Sequence, residues 1–123
     1  HAWLWMESDP AKFSPELREL IQDAQTELFL SAASVWELAI KVALGKLTLP
    51  CTLCDYVQSR LARSQVTSLP VRNEHAIRVV DLPNHHRDPF DRLLIAQAIT
   101  EGFPIITADP LFSCYPVSVK WVR

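Results

Sequence analysis

The sequence predicts an α/β fold in which a mainly parallel sheet carries helices on both faces. Short apolar runs alternate with stretches of helical periodicity along the 123 residues, and this alternation is typical of parallel strands joined by helical crossovers. A hydrophobic content of 49% is enough to bury a real core at this length. We found no internal repeat or linker, so residues 1–123 are expected to form one domain.

In the first half of the chain, residues that typically start or end helices indicate where the elements lie. Ser14 as N-cap with Pro15 at the first helical position predicts a helix over residues 14–24. A short buried strand is expected at 28–30, followed by a helix that ends at Gly45. Thr52 is expected to cap a further helix that extends to about residue 63.

The second half continues the alternation. A short strand at 66–69 ends at Pro70, and residues 72–80 have a helical composition. The strongest helix signal begins with Asp88 as N-cap and Pro89 at the first position, and it ends at Gly102. Further strands are expected at 105–106 and 117–122.

The beginning of the chain has no initiating Met and starts at once on an apolar stretch, Ala-Trp-Leu-Trp-Met at residues 2–6. This stretch is predicted to be helical. We therefore expect an N-terminal segment to be missing from the sequence.

Composition excludes several classes of function. Lys plus Arg number 12 and Asp plus Glu 14, a net charge of −2, so no overall basic charge points to nucleic acid. With only two glycines, the chain has neither Gly-rich phosphate-binding motif. No apolar run of about 18 residues and no signal peptide is present, so we expect a cytoplasmic protein without a membrane partner. Three cysteines, an odd number, argue against a disulfide framework.

Three acidic residues stand where the predicted elements meet. Glu37 lies in the helix after the strand at 28–30, Asp91 in the helix begun by Asp88, and Asp109 directly after the strand at 105–106. The carboxyl ends of parallel strands share one edge, where such folds bind ligands. Carboxylates gathered there need a cation, and oxygen ligands suit Mg²⁺ or Mn²⁺, which serve phosphoryl chemistry. The pattern predicts a metal-dependent enzyme that acts on phosphate esters.

The segments 31–41, 86–98 and 106–109 resemble, in order and spacing, a PIN-domain ribonuclease of the VapC toxin type, and the resemblance covers essentially the whole chain. It implies a three-layer α/β/α sandwich with four acidic residues that bind Mg²⁺ or Mn²⁺ and cut RNA. Three of the four map onto Glu37, Asp91 and Asp109. The fourth belongs to an Asp-Thr-His sequence at the end of the first strand, a strand that the resemblance places before His1. It also implies an antitoxin partner and a homodimer.

Within this interpretation, Glu37 and Asp91 are candidate metal ligands, and Asp109 is a candidate to ligate the metal directly or to orient a bound water. The hydroxyl of Thr107 is a candidate to support Asp109. Lys41 lies one helical turn beyond Glu37, where it either meets a phosphate or pairs with Glu37.

Two cations and one further acid surround Asp91. Arg87 and Arg92 flank it and are candidates for contact with the RNA backbone. Asp88 is a second-rank candidate for the site, although its simplest role is that of an N-cap.

Structural explanations compete with these functional ones. Ser34 and Glu37 have the spacing of a helix capping box, and Asp109 precedes a Pro and is able to cap a short helix. The pair Cys51 and Cys54 is interpreted as incidental because no second pair completes a zinc site. His85 and His86 are expected in a solvated loop, and Trp3, Trp5 and Trp36 in the core or an interface rather than as base-stacking surfaces.

Two other functions remain open from the sequence. One is a catalytically inactive PIN-like module that binds a protein partner. The other is a Mg²⁺ phosphohydrolase with an aspartyl nucleophile, which is weakened because Asp109 is followed by Pro110 and Leu111 rather than by a second Asp.

Overall fold

A parallel sheet forms the centre of the molecule in the computed structural model, which describes residues 2–5, 19, 23, 25–63, 66–85, 88–107 and 110–121. Five strands lie within these residues: Ala2–Trp5 (β1), Glu27–Ser31 (β2), Val66–Leu69 (β3), Ile105–Thr107 (β4) and Val119–Trp121 (β5). Their order is β3-β2-β1-β4-β5, and every neighbouring pair is parallel. The predicted parallel sheet is confirmed, and all carboxyl ends share one edge.

The described residues also contain four α-helices: Ala32–Ala43 (α1), Leu53–Arg63 (α2), Asn73–Arg78 (α3) and Pro89–Glu101 (α4). Two 3₁₀ turns, at Val79–Asp81 and Pro110–Cys114, complete the element order. Helix α4 packs against both α1 and α3, whereas α2 packs against α1 and β3. The predicted helix over 72–80 is thus a short α-helix continued by a 3₁₀ turn.

Alternate residues of the strands feed two apolar clusters on opposite faces of the sheet. Leu4 pairs in register with Phe29 and Ile105, and these side chains belong to the cluster that includes the buried face of α4. Leu28 and Leu30, one residue to either side of Phe29, belong to the second cluster, which includes half-buried residues of α2. Because successive strand residues point to opposite faces, both faces are covered. This is the predicted three-layer sandwich.

The ends of α4 follow its local sequence. Asp88 caps the helix, with its Oδ1 accepting a hydrogen bond from the backbone N–H of Phe90 at 2.8 Å. Pro89 occupies the first turn, where its missing N–H costs nothing. Gly102 adopts a left-handed φ of 72°, which closes the helix at little steric cost. The predicted boundaries of this helix are confirmed.

The expectations for the beginning of the chain are wrong in two respects. Ala2–Trp5 is a strand, not a helix, and it fills the central position between β2 and β4, whereas the resemblance places the first strand of the family before His1. An apolar run of four residues can pair on both sides there and bury Leu4 completely, whereas a helix of that length is unstable. The predicted helix over 14–24 lies outside the described residues except at Glu19 and Asp23, and the incomplete N-terminus stays a prediction.

Candidate active site

The two described acids of the predicted site lie on helices that meet beyond the carboxyl edge of the sheet. Helix α1, which carries Glu37, begins directly after β2 ends at Ser31. Helix α4 runs antiparallel to the strands, because it leads into β4 through residues 102–104, so its N-terminus with Asp91 lies on the carboxyl side. A contact between the rings of Trp36 and Phe90, with centroids 5.0 Å apart, joins the two helices at this point.

Glu37 has the electrostatic environment of a carboxylate that needs a cation. Partial burial raises its pKa above the ordinary value of 4.5, the charge of Lys41 opposes that rise, and the negative charge of Asp88 adds to it. The two carboxylates are therefore close enough to repel each other. The competing explanation for Glu37, a capping box with Ser34, is wrong, because Ser31 caps α1 and Ser34 lies inside the helix.

Asp88 and Asp91 share the first turn of α4 but differ in their roles. Asp88 is exposed and caps the helix, which confirms its expected structural role. Asp91 lies inside the first turn and is half-buried. The positive end of the helix dipole favours an ionised carboxylate at both positions. Glu37 of α1 thus feels the charge of Asp88, and Asp91 lies in the same turn as Asp88; we call these three residues, at the junction of α1 and α4, the acidic group.

Of the remaining predicted site residues, the structure describes some and not others. Thr107 is buried at the carboxyl end of β4, which is the predicted edge of the sheet. Asp109 and Arg87 lie outside the described residues. Arg92 is already engaged: its guanidinium donates to the carbonyl oxygens of Pro83 at 2.8 Å and Val79 at 3.2 Å. Its side chain therefore holds the segment before α4, and a role on the RNA backbone would require these bonds to break.

The pKa of Glu37 leads to a testable pH dependence. A carboxyl whose folded-state pKa is raised binds its proton more tightly in the folded state, so stability falls as pH rises from 4.5 through the raised value. Without divalent metal, we expect Glu37→Gln to lose less stability than the wild type over this range. Urea unfolding at several pH values would measure the free energy of unfolding of both proteins. Glu27→Gln, a change at an exposed acid, is the control. Identical pH profiles for Glu37→Gln and the wild type would contradict the placement of Glu37.

A buried polar network lies next to the acidic group and was not predicted from the sequence. The hydroxyl of Ser31 caps α1 through the N–H of Ala33 at 3.0 Å and donates to the side-chain carbonyl of Gln97, a fully buried residue of α4. The amide of Gln97 donates to the carbonyl of Pro70 at 3.3 Å. The network links the starts of α1 and α3 to α4, so it sets how the two acid-bearing helices pack. A Gln within the apolar run of α4 was the signal available in the sequence.

His75 continues this network and resembles a metal ligand only superficially. Glu74, His75 and Glu101 place ligand atoms within 4.8 Å of one another. However, Nδ1 of His75 accepts the backbone N–H of Arg72 at 3.0 Å, so the ring proton is assigned to Nε2, which donates to Glu101 at 2.8 Å. Nε2 then has no lone pair for a metal. The guanidinium of Arg72 also contacts both carboxylates, so we interpret this cluster as structural.

Several residues that the sequence analysis singled out are not members of the acidic group. Cys51 and Cys54 are exposed and free. His85 is exposed, as expected, and its ring contacts Tyr115 edge-on with centroids 5.2 Å apart. Trp36 is 61% exposed, so it does not lie in the core, whereas the other expectation for it, an interface, stays a prediction. None of the helices in the described part of the chain combines the length and the apolar character that a membrane-spanning helix requires.

Known proteins with similar sequences are ribonucleases by name. Residues 1–116 match the family model of the PIN domain. Ribonuclease VapC22 of Mycobacterium tuberculosis strain H37Rv is 30% identical over 110 residues, which are 89% of this chain and 82% of that protein. Ribonuclease VapC16 of the same strain is 42% identical over 60 residues, and the match spans 49% of this chain but only 43% of VapC16.

Solved structures support the fold. One similar structure is a chain of VapBC2 from Rickettsia felis, solved in complex with a DNA fragment from the promoter of that system. It gives a TM-score of 0.72 at 13% identity, with 100% of both chains covered. FitAcB from Neisseria gonorrhoeae gives a TM-score of 0.63 at 22% identity, with 97% of this chain and 96% of that chain covered. With a family model that matches residues 1–116, a relative aligned over most of the chain and the same fold in distant structures, the resemblance of the sequence is confirmed: the chain belongs to the PIN domain family.

Proposed function

We propose that this chain is a metal-dependent endoribonuclease that hydrolyses RNA phosphodiester bonds and acts as the toxin of a toxin–antitoxin pair. The observation that carries the proposal is the meeting of Glu37 with the acidic first turn of α4, in a family whose named relatives here are ribonucleases. Neutral or cationic side chains at these positions would have left the fold intact but would have offered no metal site.

The acidic group fits a divalent metal. Glu37 and Asp91 offer carboxylate oxygens, the ligands that Mg²⁺ and Mn²⁺ prefer, and no sulfur or imidazole ligand contributes from the described residues around them. The raised pKa of Glu37 also fits, because burial is the main cause of the rise and a partly desolvated carboxylate is stabilised by a bound cation. A bound ion would lower the pKa of an attacking water and neutralise charge on the phosphate.

The residues of the chain then have separate roles. Glu37 and Asp91 hold the metal from two different helices, and Asp109, which follows β4 by two residues in the sequence, completes the set of acids. Asp88 keeps the first turn of α4 in place through its cap and adds negative charge. Lys41, whose charge acts on Glu37, is able to offset that acid or to meet a phosphate.

The test is metal-dependent cleavage. Purified protein is expected to cut a library of RNA hairpins with randomised loops in the presence of Mg²⁺ or Mn²⁺, and to lose this activity in excess EDTA. Readdition of either ion separately, after removal of EDTA, would identify the ion that supports cleavage. Cleavage that persists unchanged in EDTA would rule out the metal mechanism, and this result would be checked against a mock preparation to exclude contaminating nuclease.

The partners follow from the same proposal. The fold neighbours include VapBC-5 of Mycobacterium tuberculosis, described as a member of the VapBC family of toxin–antitoxin systems, at a TM-score of 0.60. We propose a cognate antitoxin that blocks the acidic group, and a homodimer as the assembly. Co-expression with the protein encoded next to it, followed by size measurement, would test both.

A further inference from the structure

An aromatic pair, formed by the exposed Trp36 and the half-buried Phe90, stands beside the acidic group. The indole of Trp36 is 61% exposed, although large aromatic side chains of this kind are buried on average. It meets the ring of Phe90 in an edge-to-face contact, with an interplanar angle of 75° and centroids 5.0 Å apart. We call Trp36 and Phe90 the aromatic platform. One of its members precedes Glu37 and the other precedes Asp91 in the sequence.

Both members of the platform stand on helical backbone. Trp36 lies within α1, and the N–H of Phe90 is bonded to Asp88 in the first turn of α4. Trp has only two rotatable side-chain bonds, and the edge contact restrains the indole further. A rigid flat surface loses little conformational entropy when another ring stacks on it.

Electrostatics favours a neutral contact with RNA at this place. The chain carries a net charge of −2, and Glu37, Asp88 and Asp91 add local negative charge that repels phosphates until a metal binds. Of the two described cations next to these acids, Arg92 is bonded to backbone carbonyls, and the charge of Lys41 acts on Glu37. Stacking of a base on an aromatic ring does not depend on net charge, so it supplies affinity where phosphate contacts are weak.

We propose that the aromatic platform stacks one unpaired base of the RNA next to the cleaved phosphate. This inference rests on the proposed ribonuclease function and assigns to Trp36 and Phe90 the binding of an unstacked base next to the cut. A base within a duplex has both faces covered by its neighbours and cannot reach Trp36. The assignment replaces the expectation that Trp36 belongs to the core or to an interface.

Kinetics of cleavage provide the first test. Trp36→Ala is expected to raise KM by about 5- to 150-fold, the range that corresponds to the loss of one stacked base, with kcat little changed. Trp36→Phe should restore most of the affinity because it keeps a stacking face. Leu44→Ala is the matched control, since Leu44 is 63% exposed and lies at the other end of α1. Thermal unfolding would verify that all three variants remain folded.

Binding without cleavage provides the second test. A single-stranded RNA with 2-aminopurine near the cut, studied in Ca²⁺, is expected to lose fluorescence on binding to the wild type but much less on binding to Trp36→Ala. The dependence of affinity on salt should be the same in both proteins, because stacking releases no counterions. An equal loss of fluorescence with the wild type and with Trp36→Ala would overturn the proposal that the platform stacks a base.

The outcomes separate this inference from the proposed function. RNA cleavage that is unaffected by Trp36→Ala would overturn the platform and leave the ribonuclease intact. Quenching that depends on Trp36 in a protein without any cleavage would support the platform and reject the ribonuclease. Unchanged RNA affinity together with weaker binding of a co-expressed antitoxin would assign the platform to a protein interface, and that result also overturns the inference.

Discussion

Replacement of Asp91 with Asn is expected to lower the ribonuclease activity by about 100- to 1000-fold, the usual cost of removing one preorganised charged group from an active site. Asn keeps the size of the side chain and does not disturb the helix, so the loss should come from weaker metal binding. Cleavage rates over a titration of Mn²⁺ would measure the effect. A partial rescue at high Mn²⁺ is expected, because the other acids still offer ligands.

Two control variants make this result specific. Asp81→Asn changes an exposed acid in the 3₁₀ turn Val79–Asp81 and should leave activity unchanged. Asp88→Asn removes a charge next to Glu37 but keeps a good N-cap, so it distinguishes the capping role of Asp88 from a role in metal binding. Full activity of Asp91→Asn would contradict the proposed site, whereas full activity of Asp88→Asn would restrict that residue to its cap.

The second large effect is expected on stability. Replacement of His75 with Leu should lower the free energy of unfolding by about 2–4 kcal/mol, because it leaves the backbone N–H of Arg72 without its acceptor and removes one of the two groups that bond to the carboxylate of Glu101. His75 is completely buried, so water cannot replace the lost bonds. Urea unfolding of both proteins at the same pH would measure the difference.

The controls for His75 use the same network. Glu74→Gln removes only an exposed ion pair with Arg72 and should cost less than about 1 kcal/mol. Gln97 also contacts Nδ1 of His75, at 3.4 Å, so the effects of His75→Leu and Gln97→Leu should not add when the two are combined. Additive effects would show that His75 and Gln97 stabilise the fold independently, and a loss below about 0.5 kcal/mol for His75→Leu alone would show that the bonds of His75 do not stabilise it.

The central strand shows where local reasoning from sequence fails. Residues 2–5 carry no signal that separates a short helix from a short buried strand, because an apolar run of four fits both. The vacant position between β2 and β4 decides the matter, since pairing there satisfies the backbone groups on both sides of Ala2–Trp5. Competition of this kind depends on other strands and cannot be evaluated from the run itself.

Arg92 and Trp36 show the same limit at the site. An Arg beside a predicted catalytic acid is a reasonable candidate to bind phosphate, yet its guanidinium bonds to carbonyls 9 and 13 residues earlier in the chain. A Trp among apolar neighbours is expected to be buried, yet the packing of α1 on α4 leaves it mostly in solvent. Burial and hydrogen bonding both depend on what lies opposite a residue.

The sequence by itself determined the α/β class and the ends of α4, and it predicted which acids belong to the candidate site. The first two depend on helix caps, turn residues and hydrophobic periodicity, which act over a few neighbouring positions. The acids were predicted from their positions in short sequence motifs. The tertiary structure alone decided the central strand, the acidic group at the junction of α1 and α4, and the buried network, in which Ser31 reaches Gln97 across 66 positions. Contacts between residues so far apart in the sequence form only when the helices have packed on the sheet.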